Sequence, residues 1–201
     1  ASSLFLMNEW WFVSITSFSN VPYWSICYEV WYYVAFGFVM FLPGRLGWLA
    51  LAALSIFLGP KIVLLAPLWC AGVLLYRWQA LRRFSDGVSW ALVIGSSVAI
   101  VAFHAAGASD WVTDHMKNWM GREAYAEFTF SKFFPADYLL GFFVFLNFAG
   151  MRRVGEIVES ALLRIERPVR FLAQYTFTLY LLHHPLFLFW GAVIHGNPGG
   201  H

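Results

Sequence analysis

The chain has 201 residues, of which 60% are hydrophobic and 20% aromatic, while 12% are charged and the formal net charge is +2. Charge at about half the roughly 25% of soluble domains, beside 11 Trp and 21 Phe, excludes a water-soluble globule, because that much apolar surface needs lipid as its solvent. So small a net charge gives no basis for nucleic-acid binding, and the chain carries no Gly-rich phosphate loop, GxSxG elbow or HExxH motif.

Residues 1–23 read as a polar and aromatic lead-in, with Asn8, Glu9, Trp10, Trp11, Asn20 and Pro22 suited to a membrane–water interface. No basic n-region or cleavage pattern marks a signal peptide and no initiator Met is present, so the expectation is a piece of a longer protein. The first span is predicted over residues 24–42, ended by Pro43-Gly44-Arg45. Residues 46–58 and 62–76 follow, separated by Gly59-Pro60-Lys61, with Pro67 inside the second. Both are shorter than the ~20 residues of an upright span, so they read as two short or tilted spans, or as one span and a re-entrant piece, the first being preferred.

A fourth span is expected over residues 88–106, where Gly95-Ser96-Ser97 would let helices approach closely. The polar stretch 107–132 reads as an amphipathic surface helix or a lid. Residues 133–149 make a fifth span, an arginine-rich loop fills 151–170, and residues 171–194 make a sixth. The fold expected is therefore an all-α, polytopic transmembrane helical bundle of about six spans. It is one membrane domain over residues 1–195 with a tail at 196–201.

If the six spans alternate, one side receives nine of the 13 Lys and Arg residues (Arg45, Arg77, Arg82, Arg83, Arg152, Arg153, Arg164, Arg167, Arg170). The other side receives four (Lys61, Lys117, Arg122, Lys132). The positive-inside rule puts the nine in the cytoplasm, and the chain start, the 107–132 stretch and the chain end outside.

Two places carry candidate chemistry. Glu29 lies a little over one turn inside the first span, where a carboxylate at the helix centre costs about 2.5–3.5 kcal/mol. It shares a face with Ser25, Tyr32 and Tyr33, and Trp24, Tyr28 and Trp31 make the surroundings aromatic. Rings, hydroxyls and a carboxylate suit a sugar or polar head group, so Glu29 is a candidate acid or base and Trp24, Ser25 and Tyr32 candidate binding residues. The alternative is a structural carboxyl bonded to a neighbouring helix. In the last span Tyr180, His183, His184 and Phe187 share a face, just before Pro185. His183 is the candidate for proton exchange; the alternative is a histidine that only bonds to a backbone carbonyl in a kinked helix. Counting along each helix puts Glu29 about 7–8 Å and His183 about 12 Å from the outer face, within one turn of each other in height.

The other polar residues carry less. Cys27 and Cys70 lack metal-ligand spacing and are expected as buried free thiols. His104 reads as interfacial, His115 has no spaced partners for a metal, and no metal is expected. Asp137 suits either a substrate or a helix cap, and the arginines of 151–170 are topology signals, with contact to an anionic cofactor's phosphates a lesser role.

Pro22-x-Trp24-Ser25-Ile26-x-x-Glu29-x-x-Tyr32-Tyr33 resembles the P-x-W-S-L-x-x-E-x-x-F-Y signature of the acyltransferase family 3 membrane proteins. Tyr175-Thr176-Phe177-Thr178-Leu179-Tyr180-Leu181-Leu182-His183-His184-Pro185 is similar to that family's late S-Y-S-L-Y-L-L-H-x-P helix. Pro67-Leu68-Trp69-Cys70-Ala71-Gly72-Val73-Leu74-Leu75-Tyr76 is similar to its weaker middle F-x-x-G-x-L-L helix. The resemblance implies an integral inner-membrane O-acyltransferase that moves an acyl group, often acetyl, from acyl-CoA to a hydroxyl of a cell-surface or exported carbohydrate or lipid-linked glycan. Acyl-CoA would be a substrate, with no bound cofactor. The family's essential histidine and the arginine before it have no counterpart here, so this chain resembles the C-terminal portion, inactive alone. Glu29, Tyr180 and His183 carry over as supporting residues. A polar-solute or proton-coupled transporter, or a non-catalytic membrane scaffold, are the alternatives.

Overall fold

The computed structural model describes residues 6–15 and 20–195; the expected tail at 196–201 lies outside the described residues. The chain is all-α apart from one small hairpin. Strands β1 (Glu9–Trp10) and β2 (Val13–Ser14) pair antiparallel, Glu9 opposite Ser14 and Trp10 opposite Val13. Trp11 and Phe12 make the two-residue turn, Trp11 taking the positive φ (48°) that such tight turns demand. The helices are α1 (Tyr23–Phe41), α2 (Arg45–Leu58), α3 (Pro60–Arg77), α4 (Asp86–Ala105), α5 (Ala108–Met120), α6 (Arg122–Glu127), α7 (Phe134–Ile157), α8 (Glu159–Arg164) and α9 (Glu166–His195).

Six of these fall on the six expected spans within a few residues, α7 running further into the arginine-rich segment. Among the described residues four stretches are long and apolar enough to cross a membrane: Pro60–Arg77, Asp86–Ala105, Thr129–Ile157 and Glu166–Ile194. α1 has the length, 19 residues, but its Trp and Tyr residues leave it less apolar. α2 is apolar but only 14 residues long, about 21 Å at 1.5 Å per residue. This is a multi-pass membrane protein. Large apolar side chains point outward along every long helix, Phe41 at 86% exposure and Phe187 at 77% among them, as lipid-facing surfaces do.

The chain divides into two compact units. One takes in the described residues up to Leu58 and from Arg164 onward; the other is Gly59–Leu163.

In the first unit the described part of the lead-in is tied to α1 and α2. Asn8 and Glu9 are buried, at 2% and 1% exposure. Ser14 Oγ donates to the Glu9 carboxylate at 2.7 Å, and Asn8 Nδ2 donates to the Ile15 carbonyl at 2.8 Å. Trp31 Nε1 of α1 donates to the Leu6 carbonyl at 3.0 Å, the Trp11 N–H to Leu58 O at 3.0 Å, and Trp10 Nε1 to Phe57 O. The hairpin thus holds α1 and the free carbonyls at the end of α2 together. α1 and α2 meet closely at Gly47, where an added Cβ would lie 2.7 Å from the Phe38 carbonyl.

In the second unit α4 and α7 form the main pair. Asn147 Nδ2 reaches Ser96 Oγ and Ser97 Oγ, each at 3.0 Å, and Val93 O at 3.2 Å. Of the expected Gly95-Ser96-Ser97 contact, Ser96 and Ser97 meet α7 while Gly95 has nothing within 4 Å, and a tight approach lies at Gly150, where a Cβ would meet Ser89 O at 2.6 Å. Two arginines expected as topology signals also make specific contacts. Arg152 donates to Leu75 O and, at 3.4 Å, to Trp78 O, covering the last turn of α3. Arg153 pairs with Asp86 at 2.8 Å and Glu156 at 2.9 Å. The 107–132 stretch is ordered as α5, α6 and a 3₁₀ turn at Thr129–Phe133.

Candidate functional site

The residues that matter stand on α1 and α9 of the first unit. α1 starts at Tyr23, after Pro22 sets φ for the first turn, and its 3.6-residue repeat makes two adjoining rows. Trp24, Tyr28 and Tyr32 form an edge-to-face ladder, with ring centroids 5.2 Å and 6.3 Å apart. Beside it run Ser25, Glu29 and Tyr33, and Tyr33 OH donates to Glu29 Oε1 at 3.3 Å.

The two helices are joined at the top of these rows. Tyr180 OH lies 2.5 Å from Ser25 Oγ and 3.1 Å from the Pro22 carbonyl, and Ser25 Oγ is itself 3.1 Å from that carbonyl. Three contacts share two hydroxyl protons, and the carbonyl can only accept. One hydroxyl therefore donates to Pro22 O and the other donates to its neighbour, in either order. Tyr180 is 38% exposed, so this is a rim contact with room beside it.

His183 follows one turn later. Its Nδ1 lies 2.6 Å from the Tyr180 carbonyl. A carbonyl offers no proton, so Nδ1 carries the hydrogen, and in the neutral ring Nε2 keeps its lone pair. His183 is exposed and His184 half-buried, their rings edge to face at 6.5 Å. Pro185 has no N–H, so Leu181 O loses its helical donor just below. The backbone-carbonyl bond of the structural alternative is present, in a helix that contains a proline, and it occupies Nδ1 rather than Nε2.

Glu29 departs from expectation. It is exposed in this chain, not enclosed; the side chain points to the open face of α1, with Tyr33 beside it. Ser25 and Tyr180, 155 residues apart in sequence, are the pair brought together, while among the described residues no hydrogen bond joins Glu29 to His183. Cys27 is buried, with Sγ 3.9 Å from Asn8 Oδ1, but Cys70 is exposed rather than buried, because it faces outward from α3. His104 sits exposed in the last turn of α4, and His115 stacks on Trp111 at 5.6 Å. Asp137 is half-buried in the first turn of α7, where the helix dipole favours a carboxylate. Among the described residues no group of three or more His, Cys, Asp or Glu could hold a metal.

The buried Glu9, with its Ser14 donor, is the acid that the sequence reading missed. The signal was there, in a carboxylate between Asn8 and Trp10, but only the hairpin shows that it is covered. Comparison with protein-family models, with curated proteins and with solved structures finds no match for this chain.

Proposed function

We propose that the chain is part of an integral membrane O-acyltransferase that moves an acyl group from acyl-CoA to a hydroxyl of a carbohydrate or lipid-linked glycan. The observation that carries this reading is the Ser25–Tyr180–Pro22 contact. It ties together the two stretches on which the resemblance rests, although 155 residues separate Ser25 from Tyr180. In this reading the membrane is the bacterial inner membrane, with the chain start, the 107–132 segment and the chain end outside, as the nine-to-four division of basic residues favours.

With α1 and α9 as the first and sixth of alternating spans, they run in opposite senses. Glu29 then lies four residues, about 6 Å, to one side of the Ser25–Tyr180 contact, and His183 three residues, about 4.5 Å, to the other. They stand roughly 10 Å apart in height, further than counting from the helix ends indicates. Glu29 is therefore not the direct partner of His183. Its open face seats the acceptor, or the further spans that would bring the family's histidine base. His183 Nε2, the hydroxyls of Ser25 and Tyr180, and the rings of Trp24 and Tyr32 line the acceptor's approach in this proposal, with the buried Tyr28 holding those two rings apart. The chemistry asked of the whole site is a base for the acceptor hydroxyl and donors for the thioester oxyanion.

The test is acyl transfer from radiolabelled acetyl-CoA to cell-envelope glycan by membranes carrying the full-length parent. Glu29→Gln should abolish transfer while leaving membrane insertion unchanged. Full turnover in that variant removes Glu29 from the mechanism, and a parent that drives solute counterflow in vesicles without consuming acetyl-CoA replaces the enzyme with a transporter.

A further inference from the structure

The second unit contains a cavity of about 380 Å³ bounded by α5, α6 and the turn before α7. Its volume is in the range of small-ligand sites. The lining includes Lys117, Arg122 and Lys132 against one carboxylate, Asp114; three positive charges less one negative leaves +2. Asp114 is committed to Lys117 at 3.0 Å. Arg122 and Lys132 have no carboxylate within ion-pair distance among the described residues. Two uncompensated cations converging on one cavity repel each other, an arrangement that an anion relieves.

The remaining lining is specific in chemistry. Tyr125 and Thr113 are buried, at 4% and 9% exposure, and their hydroxyls lie 3.5 Å apart at the cavity wall. Tyr125 OH donates to Thr113 Oγ1, which leaves the Thr113 proton as a neutral donor beside the cations. Lys132 Nζ sits 5.1 Å from the Phe133 ring centroid and Lys117 Nζ 6.0 Å from that of Tyr125, so both ammonium groups are held over aromatic faces rather than swinging free. Arg122 offers the planar fork that grips two oxygens of a phosphate at once.

We propose that this cavity binds a phosphate ester, its dianionic group between Arg122 and Lys132 and its organic part against Tyr125 and Phe133. The site belongs wholly to the second unit, and it stands whether or not the chain takes part in acyl transfer. The phosphate can arrive on a soluble sugar phosphate or on the head group of a membrane lipid.

The experiment places the protein in phosphatidylcholine nanodiscs and titrates glucose 1-phosphate by calorimetry. In parallel, discs of mixed phosphatidylcholine and phosphatidylglycerol are assembled, and the lipid retained on re-purification in detergent is measured by mass spectrometry. Binding in the first arm, weakened by salt, identifies a soluble ester; retention of phosphatidylglycerol alone identifies a lipid head group. In the arm that responds, Arg122→Gln with Lys132→Gln should weaken binding about tenfold to a hundredfold, as loss of hydrogen bonds to a charged group does. Arg122 is exposed, so the single variant Arg122→Gln keeps the test open if the double variant loses its helical circular dichroism. No response in either arm, or equal binding by a folded variant, overturns the proposal.

Discussion

Gly150→Ala tests the packing on which the second unit depends. The added methyl would lie 2.6 Å from Ser89 O, 2.9 Å from Val93 Cγ2 and 3.0 Å from Leu92 Cβ, all inside the ~3.5–4.0 Å of an ordinary carbon contact. The first of these is backbone, so relief requires α4 and α7 to separate. Overpacking of this kind costs about 1–3 kcal/mol, and replacing Gly by Ala in a helix returns up to about 1 kcal/mol. The expected net is a loss of about 0–2 kcal/mol. Gly95→Ala is the control: with nothing within 4 Å it should show the propensity gain alone. The two variants should therefore differ by about 1–3 kcal/mol in unfolding by sodium dodecyl sulfate in mixed micelles, followed by far-UV circular dichroism. Gly150→Ala as stable as Gly95→Ala would refute the close approach of α4 and α7.

Asn147→Ala should lose about 0.6–2 kcal/mol in the same unfolding measurement, the range for interhelical hydrogen bonds in membranes; an unchanged midpoint would mean that Ser96 and Ser97 do not hold it. Tyr180→Phe and Ser25→Ala should each destabilise by about 0.5–1.5 kcal/mol and together by clearly less than the sum. Strict additivity in that double-mutant cycle would dissolve the α1–α9 contact. Ser14→Ala removes one donor to the buried Glu9 carboxylate and should cost about 1.5–3 kcal/mol, the range for a hydrogen bond to a charged group, read as earlier proteolysis of the hairpin segment; unchanged protection would place Glu9 in water.

The sequence by itself determined the class of the protein and the position of its helices. Both rest on sums over neighbouring residues. The apolar runs, the Pro43-Gly44 and Gly59-Pro60 breaks and the basic loops are visible within a window of about 20 residues, the span of one membrane crossing. The rows on α1 were legible too, since 3.6-residue periodicity fixes which side chains share a face.

Only the tertiary structure decided which faces are covered and which rows meet. Glu9 and Glu29 look alike as acids among aromatic residues, yet a hairpin folds over the first and leaves the second open. Tyr180 finds Ser25, Asn147 finds Ser96, and Arg152 finds the end of α3, across 155, 51 and 77 residues respectively. Helical periodicity gives direction around one axis but not the register between two. That register is settled by close packing and by the need of each polar group in lipid for a partner, and both conditions belong to the assembled chain rather than to any segment of it.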